Sequence, residues 1–473
     1  MKQEIALLAA FLIVFLCDTF MPRRNQGAIG GISIVAFALA AVFGFTSWVC
    51  EGAGEAFGGM YSAGAAEVCI KNILNIGALI VMVQALQWAK NDLVKIRRGE
   101  FYELLLLTLF GMYLMISARH FLLFVIGLET ASLPLAAMVA FDKHRYESHE
   151  AAVKYVLTAV FSSAIFLMGL SFVYGLCGTL YFDGIAFAIF GENVSTMLVI
   201  ALAFVIAGVG FKLSLVPFHL WTADVYQGAP TPVTSYLSVI SKGSAAFAFL
   251  IILWKAFGYV YSDAWEWMVY ALIILTITVG NLFAMRQRNM KRFLAFSSIS
   301  QAGYIMLGII AMNTLGMAAL MYYVLVYIFS NLAAFGVIGA IENASGKVWM
   351  DDYKGLYKTN PRLAFTMMLA MFSLAGIPPF AGFFSKFFIF TGAIAQGSVA
   401  IYVLVLIALI NTIISLYYYL LVVKAMFISQ DDCVVAPFRS ACSERVAMWV
   451  CVAGIIGLGI VSCVYNSILD ITL

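Results

Sequence analysis

Lys212, Lys242, Lys386 and Glu129 stand in the middle of segments whose other residues are almost all apolar. An ionisable side chain held at a bilayer centre costs about 3 kcal/mol on insertion scales. Long side chains near helix ends escape that cost by snorkelling, but these four lie mid-segment, one per segment. Such groups mark ion or proton pathways, so the chemistry they point to is movement of charge.

Each also has a passive reading. Burial disfavours an ammonium and a nearby carboxylate favours it. Lys212 beside Glu129 could therefore exchange a proton as its counter-charge moves, or strap two helices together. Ser241, Gly243 and Ser244 flank Lys242 and leave room for water; bonding to carbonyls of a broken helix is its alternative. Lys386 could end an internal path, or snorkel past Phe383, Phe384, Phe387 and Phe388. His219, just beyond Pro217, has the ring chemistry of a proton relay and equally of a hydrogen-bonding strut. Glu129 is the only acidic residue expected at mid-membrane depth. Asp18, Glu103, Asp224 and Glu342 fall near segment ends and read as solvated at the interface, as does Lys424.

The elements that must position these groups are helices in a membrane. The chain is 64% hydrophobic and 11% charged, against roughly a quarter charged in soluble domains, and its mean hydropathy is +0.99. Apolar stretches long enough to cross a hydrocarbon core fall at approximately 4–21, 29–49, 71–89, 102–118, 121–141, 150–177, 196–221, 232–256, 266–285, 291–311, 316–341, 361–394, 400–427 and 446–467. Short alternating segments, the mark of a β-barrel, are missing. The fold class is therefore all-α and polytopic, with about fourteen transmembrane helices in one integral membrane domain over 1–473. The first stretch has no clear basic n-region and ends in Pro22-Arg23-Arg24, so it reads as a retained helix rather than a cleaved leader.

Basic residues orient the bundle. With the N-terminus outside, inner loops collect Arg23, Arg24, Lys90, Lys95, Arg97, Arg98, Lys143, Arg145, Lys154, Arg286, Arg288, Lys291, Arg292, Lys347, Lys354, Lys358, Arg362, Arg439 and Arg445. Outer positions receive only Lys2, Lys71, Arg119 and Lys255, together with Glu51, Glu55, Glu67, Asp183, Glu192, Asp263 and Glu266. Both termini are expected outside. Spans 7 and 12 carry breakers, Pro217 after Lys212 and Pro378-Pro379 before Lys386. A mid-helix proline removes a backbone hydrogen bond, and inside a membrane the freed carbonyls must face protein or a water-lined cavity. Broken helices at matching places of two halves point to an inverted repeat. Spans 4–8 (101–260) and 9–13 (261–430) would be the halves, with 1–100 as three leading helices and 431–473 as a last one. The eight cysteines, Cys17, Cys50, Cys69, Cys177, Cys433, Cys442, Cys451 and Cys463, include no CxxC and no Cys/His pairing. Zinc or iron–sulfur ligation is not expected, nor a redox cofactor on this chain, nor a nucleic-acid partner.

The run GFKLSLVPFHLWTADVYQGAPTPVTSYLSVISK (Gly210–Lys242) resembles the signature of the proton-pumping antiporter-like subunits of respiratory complex I. GLETASLPL around Glu129, DDYKGL at Asp351–Leu356 and SLAGIPPFAGFFSK ending at Lys386 continue the likeness across spans 4 to 13. The resemblance implies fourteen helices with inverted five-helix repeats and a mid-membrane chain of protonatable residues. By position, Glu129 would be the helix 5 glutamate paired with Lys212 of helix 7, Lys242 the connecting helix 8 lysine, and Lys386 the end of the chain in helix 12. Lys386 departs from the glutamate of the M-type branch, no long lateral helix of the L-type branch follows, and Ser415–Phe427 resembles the N-type branch. FMN, iron–sulfur clusters and quinone would then belong to other subunits. Partners would be membrane-arm subunits, especially the M-type and the small K- and J-type ones, in a bacterial inner membrane. An Mrp-type sodium/proton antiporter subunit shares the same motifs, and a non-pumping structural subunit is the other alternative.

Overall fold

The computed structural model describes every residue except 47–53, 92–96, 191–195, 259–262, 429–433, 462 and 473; the side chains of 23–25, 263 and 264 also fall outside the description. Arg23, Arg24, Glu51, Lys95, Glu192, Asp263, Cys50 and Cys433 are therefore outside the described residues as side chains.

Thirteen helices among the described residues are long and apolar enough to cross a membrane. They include α1 (Lys2–Phe20), α2 (Ile29–Phe43), α3 (Ala65–Trp88), α4 (Arg98–Ile116), α5 (Phe121–Val139) and α6 (Tyr146–Cys177). A short hairpin of β1 (Gly54–Ala56) and β2 (Tyr61–Ala63), in register Glu55 opposite Ser62, precedes α3. The amphipathic α7 (Phe182–Ile189) follows α6. Span 7 is divided into α8 (Thr196–Leu213) and α9 (Leu220–Gly228), and α10 (Thr231–Ala256) contains π-helical turns at Leu237–Ser241 and Ile252–Ala256. Then come α11 (Asp263–Ala284), α12 (Met290–Ile310) and α13 (Thr314–Ser345). Span 12 is two shorter apolar helices, α14 (Pro361–Ala375) and α15 (Ala381–Ile394), where the sequence pattern implied one. The chain closes with α16 (Val399–Phe427), α17 (Cys442–Ile460) and a short α18 (Cys463–Thr472) where the sequence pattern implied one continuous span.

The breaks fall where the prolines require them. After Leu213 the chain turns through Ser214 at φ 61 and passes Pro217 before α9 begins. After Ala375 it turns through Gly376 at φ 87, and α15 starts just past Pro378-Pro379. Val216-Pro217 and Pro378-Pro379 are both cis.

Matching details recur on the two sides. Helices α6 and α13 each have 32 residues and each ends at a left-handed glycine, Gly178 or Gly346. His120 caps α5 and bridges to Tyr181 beyond α6; Asn289 caps α12 and bridges to Trp349 beyond α13. The pairs α4–α5 and α11–α12 both pack backbone to backbone over glycine. A Cβ added at Gly111 would meet Ala131 N at 2.4 Å, and one at Gly280 would meet Ser300 N at 2.7 Å. Small residues let membrane helices approach this closely.

Burial is graded. The apolar window of α12 is 100% buried and those of α10 and α13 are 94% buried, whereas α1, α2 and α6 reach only 28%. The column α10–α12–α13 is thus the centre, and the residues it carries are shielded from lipid as well as water. Gly111→Val should strain the α4–α5 contact by about 1–3 kcal/mol and reduce the amount of correctly inserted chain. Gly31→Val, with nothing within 4 Å of the new Cβ, should leave it unchanged; protease resistance of the membrane-inserted protein checks both.

Candidate functional site

The three lysines are buried, with exposures of 6% for Lys212, 2% for Lys242 and 5% for Lys386. Each meets different partners. Lys212 lies in the last turn of α8, whose C-terminal dipole favours a cation. The carbonyls of that turn are used elsewhere: Leu215 N donates to Gly210 O and the Trp221 indole to Phe211 O. The ammonium therefore reaches sideways to the Tyr155 hydroxyl of α6, at 3.1 Å, across the Tyr155 ring.

No ion pair joins Lys212 to Glu129. Glu129 is half-buried on α5 and accepts a 2.6 Å bond from Ser163 of α6. Tyr155 and Ser163 are eight residues apart on α6, about 12 Å along its axis. The two charges remain in electrostatic reach, with α6 supplying the contact groups of both. Pro134 inside α5 removes one backbone donor just beyond Glu129.

Lys242 projects from α10 to α12, where it donates to the Ser298 carbonyl at 3.2 Å and to the Ser298 hydroxyl. Tyr226 of α9 lies under it, ring centroid at 5.6 Å, with its own hydroxyl 3.5 Å from Ser298 Oγ. The small residues beside Lys242 do not make room for water as expected. A Cβ on Gly243 would strike Val324 at 2.7 Å, and Ser244 is bonded back to Ser241.

Lys386 does not snorkel. From α15 its ammonium reaches back across the break to the Leu374 and Ala375 carbonyls of α14, both at 3.0 Å. These are acceptors that the end of a helix leaves without an internal donor. Tyr304 lies 5.2 Å beneath the ammonium. Gln301 joins this group to the previous one: it sits one turn after Ser298 on α12, accepts from Tyr323, and donates to Tyr419 at 3.1 Å and Leu374 O at 3.4 Å. Gln301, Tyr323, Ser385 and Lys386 line a cavity of about 10 Å³, the room that a single water needs.

His219 is half-buried at the break and its Nδ1 has no hydrogen-bond partner. Among the described residues no group of three or more His, Cys, Asp or Glu is gathered as metal ligands would be.

Several charged residues sit elsewhere than their sequence positions implied. Glu342 is not solvated at an interface: it is clamped by Lys291 at 2.9 Å, Arg145 at 3.1 Å and the Thr231 hydroxyl. Asp224 is held at 2.6 Å by both Lys154 and Arg292. Lys291 is fully enclosed, and Lys71, expected at the outer surface, is 0% exposed and paired with Glu4 of α1. Among the described residues the buried bases are therefore five, not three, but Lys71 and Lys291 have acids in contact and the other three do not.

The profile of the family described as NADH:quinone oxidoreductase/Mrp antiporter, transmembrane, matches residues 118–415. NADH-quinone oxidoreductase subunit N of Phocaeicola vulgatus is 52% identical over 471 residues, covering 99% of this chain and 98% of that protein. The chain belongs to the subunit N family of NADH-quinone oxidoreductases. It is a multi-pass, antiporter-like membrane protein. A chain of the solved respiratory complex I from Thermus thermophilus with bound aureothin superposes with TM-score 0.82 at 30% identity, covering 99% of this chain and 98% of that one. A chain of the Mrp complex from Dietzia sp. DQ12-45-1b shares the fold, with TM-score 0.81 at 21% identity over 99% and 95% of the two chains. Subunit N family membership makes this chain one component of an oxidoreductase complex, with partner subunits in the membrane.

Sequence reasoning missed Tyr155, Tyr226, Ser298, Gln301, Tyr304 and Tyr323. The run Ser297-Ser298-Ile299-Ser300-Gln301 inside an apolar span was the available signal. The clamp on Asp224 also has a measurable consequence. Burial would raise its carboxyl, but hydrogen bonds from Lys154 and Arg292 outweigh that and hold it below the usual range. Its contribution to stability is complete above the ordinary value of 3.8 and is lost as pH falls below it. Asp224→Asn should lower the melting temperature at pH 7, and the gap to the native chain should close as pH approaches 3; thermal unfolding at both pH values measures it.

Proposed function

We propose that this chain is a proton-translocating membrane-arm subunit of NADH:quinone oxidoreductase. Quinone reduction elsewhere in the complex would shift the charge near Glu129 and drive proton exchange along Lys212, Lys242 and Lys386. The observation that carries this reading is the neutral character of the lysine contacts. Three enclosed ammonium groups rest on hydroxyls, carbonyls and tyrosine rings, with no carboxylate in contact. A static ion pair would bring its acid along, because a buried charge without one is expensive. A group left in that condition changes protonation when a nearby charge moves.

Glu129 is suited to begin the exchange. It sits half-exposed at the α5–α6 edge, where a neighbouring membrane-arm subunit, of the K- or J-type in this reading, would cover it. Lys386 ends the line at the second break, and an M-type subunit would be a neighbour in the membrane arm. The chain would hold no redox centre, leaving FMN, iron–sulfur clusters and quinone to other subunits. Sorting of basic residues supports an inner-membrane protein with both termini on the outer side. The two halves, α4–α10 and α11–α16, would be inverted copies, since an odd number of crossings separates their starts. His219 would be a further relay group at the first break, where its buried Nδ1 is left without a hydrogen bond.

An Mrp-type antiporter is the second reading, favoured by the shared fold; the 52% identity to a subunit N weighs against it. The complex carrying Lys212→Ala, reconstituted in sealed vesicles, should lose proton pumping and coupled NADH:quinone turnover together, by roughly tenfold or more. Full pumping by a properly assembled Lys212→Ala complex would sink the mechanism. A sodium-gradient-driven proton flux without NADH would favour the antiporter.

A further inference from the structure

A second buried polar line runs between α1, α3, α4 and the start of α10, and the three-lysine relay does not use it. Its outer part is built on Lys71. The ammonium donates to Glu4 at 2.5 Å, to the Ser117 hydroxyl at 2.6 Å and to the Tyr61 hydroxyl at 3.5 Å. Among the described residues the other charged or titratable groups near it are the Met1 amino group and Lys2, Tyr113 from α4, and Arg119 paired with Glu67 of α3. The Met1 amino group lies 3.7 Å from Glu4 on a residue whose side chain is partly exposed, so the line nears the surface there. The second Glu4 oxygen is buried without a hydrogen-bond partner.

Inward, further buried polar side chains follow in separate hydrogen-bonded pairs along α3, α4 and the start of α10. The Tyr113 ring lies 5.4 Å from the Lys71 ammonium, and its hydroxyl donates to Asn75, one turn deeper on α3. Further along α4, the Thr108 hydroxyl donates to Tyr236 Oη at 2.9 Å. In the chain Tyr236 directly precedes the π-helical turn Leu237–Ser241, and Lys242 directly follows it. Single π-turns loosen the backbone ladder and concentrate at functional sites.

We propose that this line is a proton-conducting branch from the Lys242 helix to the face that carries the N-terminus, with Glu4 and Lys71 as its outermost buried acceptor and donor. It rests on the proton-translocation reading above. A proton leaves the Lys71 ammonium for the Glu4 carboxylate, and the resulting carboxylic acid releases it to water beside Met1. The neutral Lys71 amine is reprotonated through the Ser117 hydroxyl, which accepts a proton arriving from the inward side, past the Tyr113–Asn75 pair, as it gives one up. No other bond is made or broken.

A purely structural Lys71–Glu4 strap predicts something different. Removing one partner of a buried pair is destabilising, while replacing both by neutral groups of similar volume is close to neutral. The assembled complex carrying Glu4→Gln with Lys71→Met is therefore the test, beside Tyr113→Phe and Lys242→Met, each scored for assembly, NADH:quinone turnover and proton pumping in sealed vesicles. The double variant should assemble yet pump roughly threefold less or worse, and Tyr113→Phe should raise the solvent isotope effect on turnover. Native pumping by the double variant while Lys242→Met fails overturns the branch and leaves the relay standing. Native pumping by both overturns the translocation reading itself. Should the double variant fail to assemble, Tyr113→Phe decides alone: an unchanged rate and isotope effect overturn the branch.

Discussion

An ammonium group held away from water has to be compensated by something, and the architecture follows from how each buried lysine meets that demand. Lys386 uses the carbonyls that the α14 end leaves free. Those acceptors exist only because Gly376 and the proline pair stop the helix there. Lys242 uses a serine on α12 and a tyrosine face from α9. Lys212 uses the dipole of the α8 terminus and the hydroxyl of Tyr155. Breaks, π-turns and the wholly buried α12 are in this sense one solution: they bring polar groups to membrane depth without opening the bundle to lipid.

The same constraint governs the end of the bundle that carries Asp224 and Glu342. Asp224 draws Lys154 from α6 and Arg292 from α12; Glu342 draws Arg145 from before α6 and Lys291 from α12. Both clusters cross from the first half to the second, with α12 contributing to each. Exposed pairs contribute little, but Glu342 is largely enclosed, and each acid has two bases. They fix the register of α12 against α6 and α9, and so fix where Ser298 stands beneath Lys242.

Much of this was legible in advance because membrane burial leaves a coarse signal. Apolar runs of the right length placed the crossings, and Pro217 and Pro378-Pro379 placed the breaks. The mid-span lysines stood out because the other charges in those segments, Lys255 and Arg362, sit at the ends. The partners were not legible, for a physical reason. Serine, tyrosine and glutamine are tolerated in apolar helices, so Ser298, Tyr323 and Gln301 do not announce themselves by cost. Lys71 and Glu342 were misplaced for a related reason. A charge near a span end looks solvated by position alone, and only tertiary packing reveals that α1 closes over Lys71 or that α12 closes over Glu342.

The chemistry of the contacts also bears on how protons would travel in the proposed relay. A hydroxyl both donates and accepts, whereas a carbonyl only accepts. Lys242, resting on the Ser298 hydroxyl with Tyr226 beside it, has neighbours that can pass a proton on. Lys386 has two backbone carbonyls, which stabilise its charge but cannot carry the proton away. Its exchange must run through the small cavity that it shares with Gln301, Tyr323 and Ser385, where one water fits. The last step is then the one most dependent on shape, because a side chain that grew into that space would leave the charge stabilised and the proton stranded.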